Sequence, residues 1–216
     1  MFTENEIILM SGNTMHRITQ KHQIPTGLKL EVFGSHNKII LGEQCLFQNT
    51  VISIVNDNTS VQIGNGCRME NLFIDINSGN GQHLEIGDKS VFFGGKIVLR
   101  DKDFVKIGQD CLFADGLRLW ATDAHTLFDL ETNQVINETP EKLEIGNHCW
   151  IGGDVHIMKN GSLPDETVVG MCSVITKPFT EPHTVIGGYP AKVLRRGIGW
   201  SRDTIPDWLK KDESLK

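Results

Sequence analysis

From Ile145 to Thr180 an aliphatic residue returns every six positions: Ile145, Ile151, Ile157, Leu163, Val169 and Ile175. Ile, Leu and Val make up 54 of the 216 residues. Six such coincidences in one phase therefore have a chance of roughly 1 in 4,000. A period of six matches neither the turn of a helix nor the simple alternation of a strand. It describes a chain wound into a triangular prism, one hexapeptide per face, with the aliphatic side chain pointing inward at each face. The expected fold is all-β, a parallel β-helix.

The unit recurs more loosely upstream. Gly followed three residues later by Cys or Ser occurs at Gly42–Cys45, Gly64–Cys67, Gly87–Ser90, Gly108–Cys111, Gly146–Cys149 and Gly170–Ser173. Three hexapeptides make a coil of about 18 residues, and most of these intervals are longer, so the corners are expected to hold bulges. Gly at the second position is expected to supply the corner, often at positive φ. The fifth position faces inward and takes a small side chain. Cys45, Cys67, Cys111 and Cys149 fall there as packing residues, whereas Cys172 is off phase and expected to face outward. Trp150, Phe113 and Phe92 are read as outward apolar residues that neighbouring subunits would cover.

One domain follows, because no linker interrupts the repeats. Residues 1–26 lack the unit and read as an N-terminal extension or cap. Residues 27–196 form the β-helix, and 197–216, with Trp200 and Trp208, a tail. Residues 121–142, ATDAHTLFDLETNQVINETPEK, contain no hexapeptide and stand between two blocks of repeats. A loop this long in a compact fold is usually functional. At Gly187–Arg196 the chain is expected to leave the prism, with Pro190 preventing a further ladder strand.

Charge and composition narrow the classes. With 21 basic and 27 acidic residues the net charge is −6, which disfavours general nucleic-acid binding. No window is long and apolar enough for a membrane helix. Ile7–Met10 follows the acidic Glu4 and Glu6, unlike a secretory signal. A cytoplasmic protein without a disulfide framework is the expectation.

Three strings, IGNHCWIGGDVHIMKNG, VVGMCSVITKPF and VIGGYPAKVLR, resemble the C-terminal half of the hexapeptide-repeat acyltransferases. The stretch Ile107–Arg202, including TDAHTLFDLETNQVIN, is similar to bacterial capsule O-acetyltransferases that modify sialic-acid-containing capsules. The resemblance implies a left-handed prism, a homotrimer with active sites between subunits, and acetyl-CoA as donor. It implies a polysaccharide or oligosaccharide acceptor, acetylated on a sugar hydroxyl without a covalent acyl-enzyme and without a metal. His125 matches the family's loop general base. A histidine, with an ordinary pKa of about 6.5, can take a proton from a hydroxyl at neutral pH. Asp123 or Asp129 could orient its ring. Trp150 matches the tryptophan lining the acyl-transfer site, where an indole N–H could stabilise an oxyanion. Gly153 would let the backbone approach the thioester arm, and Met171 matches a backbone contact to pantetheine. Thr176, Lys177, Lys192 and Arg195 match positions around the phosphates of CoA, with Arg196 adding to the basic cluster. Such a cluster suits a polyphosphate in an otherwise acidic chain.

Other classes remain open on the residues alone. An N-acetyltransferase acting on an amino sugar or sugar nucleotide would use the same fold. A γ-class carbonic-anhydrase-like hydratase needs three converging histidines. The histidines show no such spacing, and His148 and His156 read as outward-facing surface residues. A non-catalytic trimeric scaffold would bind no CoA.

Overall fold

The computed structural model describes residues 5–11, 14–101, 103–137 and 142–203. Trp208 therefore lies outside the described residues. Three parallel ladders carry the chain through a left-handed β-helix of about six turns. Face one stacks Glu6–Ser11, Lys38–Leu41, Ser60–Ile63, His83–Ile86, Phe104–Ile107 and Leu143–Ile145. The chain then crosses face two, which includes Leu112–Phe113, Trp150–Ile151, Val168–Val169 and Thr184–Gly188. Face three includes Gly95–Leu99, Leu117–Trp120, His156–Met158 and Val174–Ile175.

Strict register makes the core. On face one, Ile39, Val61, Leu84, Val105 and Leu143 pair in a single column, and all are buried. The small fifth residues form a second internal column. Cys67 Sγ reaches Gly87 O at 3.3 Å, Cys111 Sγ reaches Gly146 O at 3.1 Å, and Ser90 Oγ donates to Gly108 O at 2.9 Å. These residues pack and also tie each coil to the next.

Phe92 and Phe113 do not face outward. Both are fully buried and stack with ring centroids 4.4 Å apart. Each lies six residues after an inward isoleucine, Ile86 and Ile107, so each occupies the aliphatic slot of the next hexapeptide. Only Trp150 of the three is exposed.

The glycines play a different part from the one expected. The second-position glycines at 42, 64, 87, 108 and 146 are absent from the positive-φ residues. A Cβ on Gly146 would lie 2.4 Å from Asp165 N, and one on Gly42 2.4 Å from Gly64 C. They are required by the closeness of the adjacent coil. The left-handed residue is the fourth of the unit: Gln44, Gly66, Lys89, Asp110, His148 and Glu166 all lie between φ 50° and 64°. Cys172 takes this position also, at φ 57°, and is exposed as expected.

Both ends of the chain add strands to the prism. Glu6–Ser11 continues face one in parallel with Lys38–Leu41 and turns back antiparallel into Thr14–Arg17. At the other end Pro190 does not stop the ladder. The chain turns at Tyr189–Pro190, and Ala191–Arg196 returns antiparallel on Thr184–Gly188. Proline sits in the turn, where no ladder N–H is needed.

Before the first five strands of face one a polar residue is buried: Asn5, Asn37, Thr59, Gln82 and Asp103. Asn37 Oδ1 accepts from Thr59 N at 2.8 Å, and Thr59 Oγ1 bonds Gln82 Oε1 at 3.0 Å. Asp103 Oδ2 accepts from Arg100 N, but Oδ1 has no partner among the described residues. Burial pushes this carboxyl up from 3.8 to about 6. The folded chain holds the proton more tightly than the unfolded one, so stability falls as pH rises from about 4 through about 6. Asp103→Asn should therefore raise the melting temperature by about 5 °C at neutral pH. The difference between the two proteins should shrink as pH falls and close only well below the unfolded value, by about pH 3. A neutral-pH melt unchanged by the substitution would contradict this.

Candidate active site

The segment after Trp120 is an organised arm. Ala124 takes φ 62° and its N–H bonds Thr122 Oγ1 at 2.9 Å. Phe128 and Val135 form an antiparallel bridge, and Ile136 N donates to Leu127 O at 3.0 Å. Asp129 closes the tip, its Oδ1 accepting from Glu131 N, Thr132 N and Thr132 Oγ1. The Thr132 and Glu131 bonds hold the Asp129 carboxyl below its ordinary range. Asp129 is thus fully engaged in a turn and does not touch His125.

One lysine pins both roots of the arm to the prism. Lys159, nearly buried just beyond the strand His156–Met158, places Nζ 2.5 Å from Asp123 Oδ2 and donates to Asn137 O at 2.8 Å. Asn137 Nδ2 donates to Asp123 Oδ2 at 2.9 Å and to His125 O at 2.8 Å. The Lys159 bond, aided by Asn137, lowers the Asp123 pKa and keeps the carboxylate ionised. Asp123 therefore holds the arm's roots and does not orient the imidazole. His125 has a fixed main chain, while its exposed ring makes no hydrogen bond among the described residues. His125 lines an open pocket of about 280 Å³ together with Asp101, Thr122, Thr126 and Val135. Leu127, Phe128, Leu130 and Ile136 of the arm are more than half exposed.

The other candidates stand on different edges. Trp150 opens a strand of face two with its side chain outward, and its indole N–H has no acceptor among the described residues. Gly153 is at the following corner, where Cys172 N donates to its carbonyl at 2.9 Å and the exposed Met171 lies one coil on. A Cβ at Gly153 would meet only Asp115, at 3.5 Å or more, so no contact within the chain demands glycine there. Thr176 and Lys177 follow the last strand of face three, with Lys177 Nζ 5.7 Å from the centre of the Phe179 ring. Lys192 and Arg195 lie on the terminal hairpin opposite Gly187 and Val185, exposed and without ion pairs among the described residues. Arg196 is engaged by Glu181, with its Nε 2.9 Å from Oε2. Within one chain, then, Trp150, Gly153 and Met171 share one region, and His125 leaves from the corner between faces three and one.

His156 is exposed, but His148 is not a free surface residue. Its Nδ1 is 2.7 Å from Asp110 Oδ2, and its ring stacks on Trp200 with centroids 4.4 Å apart. The sequence offers no signal for this contact, which spans 52 residues. Lys159 left only a weak one, a hexapeptide with Met158 in place of the usual glycine. Among the described residues no group of three metal-binding side chains converges, and no helix is long and apolar enough to cross a membrane.

No family model matches the chain. Over 215 residues, it is 32% identical to a polysialic acid O-acetyltransferase of Neisseria meningitidis, covering 100% of this chain and 96% of that protein. The solved structure of a polysialic acid O-acetyltransferase matches with a TM-score of 0.78 at 29% identity, over 89% of this chain and 92% of the other. A polysialic-acid-specific acetyltransferase matches at 0.68 and 26% identity, over 87% and 84% of the two chains.

Proposed function

The chain belongs to the polysialic acid O-acetyltransferases, a family of hexapeptide-repeat acetyltransferases, and from that premise we propose that it transfers acetyl from acetyl-CoA to a hydroxyl of a sialic-acid-containing capsular polysaccharide. The observation that carries the mechanism is the state of His125: its main chain is clamped by Asn137 while its ring is unpartnered beside an open pocket. A general base needs a free ring nitrogen held in reach of the acceptor.

His125 takes the proton of the sugar hydroxyl as the oxygen attacks the thioester carbonyl. The tetrahedral oxyanion is met by the Trp150 indole N–H and the Gly153 N–H, both without acceptors among the described residues. Collapse breaks the C–S bond, and the thiolate recovers the proton from His125. No covalent acyl-enzyme forms. Met171 borders the pantetheine path, and Thr176, Lys177, Lys192 and Arg195 supply charged or polar contacts to the phosphates.

His125 and Trp150 occupy different edges of one prism, so the complete site needs two chains. A closed homotrimer supplies three such pairs. The exposed apolar residues of the arm, Leu127, Phe128, Leu130 and Ile136, are the surface that would embrace the neighbour. A cytoplasmic location fits a donor made inside the cell.

Thiol release from acetyl-CoA, measured over sialic acid polymers, neutral glycans, free amino sugars and buffer alone, tests the proposal. Turnover is expected on the polymers, with acetyl recovered as an alkali-labile ester. Turnover confined to the amino sugars would overturn the O-acetyl assignment in favour of N-acetylation.

A further inference from the structure

The segment after the terminal hairpin runs back down the edge between faces one and two. Ile198 N donates to His183 O at 3.1 Å. Trp200 then lies on His148, stacked at 4.4 Å, with its Nε1 donating to His148 O at 2.7 Å. Arg202 reaches the next coil, its Nε and Nη2 at 3.1 and 3.0 Å from Asp110 Oδ1. Nη2 also bonds Cys111 O and, one coil further, Lys89 O, both at 3.2 Å. The other oxygen of Asp110 holds His148 Nδ1. A strap of a few residues is thereby fixed to four coils along an exposed edge.

What the strap holds is an aromatic wall. The Trp200 ring lies 6.0 Å from that of Trp150, tilted by 38°. It is the aromatic partner of Trp150 among the described residues, and even beside it Trp150 is 42% exposed. An exposed indole without a wall samples several rotamers. A donor to a developing oxyanion must instead be held within a fraction of an ångström.

We infer that Trp200, fixed by His148, Asp110 and Arg202, is a positioning residue that orients the Trp150 indole for acyl transfer. The left-handed fourth position of the repeat makes this possible, because Asp110 and His148 occupy it on adjacent coils. The inference rests on the proposed placement of Trp150 in the acyl-transfer site.

A double-mutant cycle in the full-length chain tests it, since residues acting through one another give non-additive losses. Trp200→Leu should lower kcat about tenfold, with the acetyl-CoA KM changed by less than about twofold. His148→Asn should do the same, and Trp200→Phe should recover part of the loss. In a Trp150→Phe background, already slow, Trp200→Leu should cost less than about a further twofold. The strap is outside the core, and thermal melts should confirm that all variants fold. Equal losses in both backgrounds, or no loss on Trp200→Leu where Trp150→Phe is slow, would overturn the positioning role alone. Wild-type turnover in Trp150→Phe would instead overturn the placement of Trp150, and the positioning role with it.

Discussion

Replacing His125 with alanine is expected to lower kcat by about 10² to 10⁴, the usual cost of removing a positioned general base. The substitution removes an exposed ring that makes no hydrogen bond or ion pair among the described residues. His125 is held through its carbonyl, which accepts from Asn137 Nδ2, and alanine keeps that bond. No core cavity is created, so stability should change by no more than about 0.5 kcal/mol. Acetyl-CoA affinity should also persist, since the proposed donor contacts lie on Gly153, Met171 and the basic residues of the C-terminal coils. Steady-state kinetics together with donor titration by calorimetry would check both halves. Near wild-type kcat in His125→Ala would remove the base from the mechanism. Loss of donor binding alongside turnover would place His125 in the donor site instead.

Phe113→Ala should be the most damaging single change to the fold. Phe113 is fully buried, pairs with Phe92 below and Ile151 above, and stacks face to face on the Phe92 ring. Truncating a buried phenylalanine costs about 3 to 5 kcal/mol, part lost transfer energy and part cavity. In a solenoid each coil is supported only by its neighbours, so the loss concentrates at one interface. Leu112, beside Phe113, is the register partner of Trp150, and turnover should therefore fall with stability. Urea titration should show an earlier midpoint, and Phe113→Leu should lie between the two. A loss under about 1 kcal/mol would contradict this and mean that Phe92 below and Ile151 above close over the gap.

The period of six was enough to locate the inward positions, the inserted arm and the small cysteine column, because each is a matter of spacing along the chain. Pattern and structure part where one residue type can satisfy two geometries. Phe92 and Phe113 read as outward aromatics by residue type, yet in phase they occupy buried aliphatic slots. The second-position glycines suggested positive φ, whereas the approach of the adjacent coil explains them, and the left-handed residue can be Gln44, Lys89 or His148. Pro190 suggested an end to pairing, but at a turn it costs no ladder bond. The links that hold the candidate site were out of reach for another reason. Lys159 to Asp123, His148 to Asp110 and Arg202 to Lys89 join residues 36, 38 and 113 apart. No local pattern encodes such pairs, and only the stacking of coils brings them together.

The arm leaves the prism beyond Trp120 and rejoins it at Leu143, which pairs with Val105 as though nothing had intervened. Between those points the ladder imposes no length, and the entropy of closing a longer excursion grows only slowly. Among the described residues its roots are tied to the prism by the two acceptors that Asp123 and Asn137 offer to Lys159. Descendants of such a chain can exchange or lengthen the intervening segment while inheriting the barrel of coils intact. In the proposed mechanism the general base and the donor contacts are then separable heritable traits, one carried by a surface excursion and the other by a rigid edge.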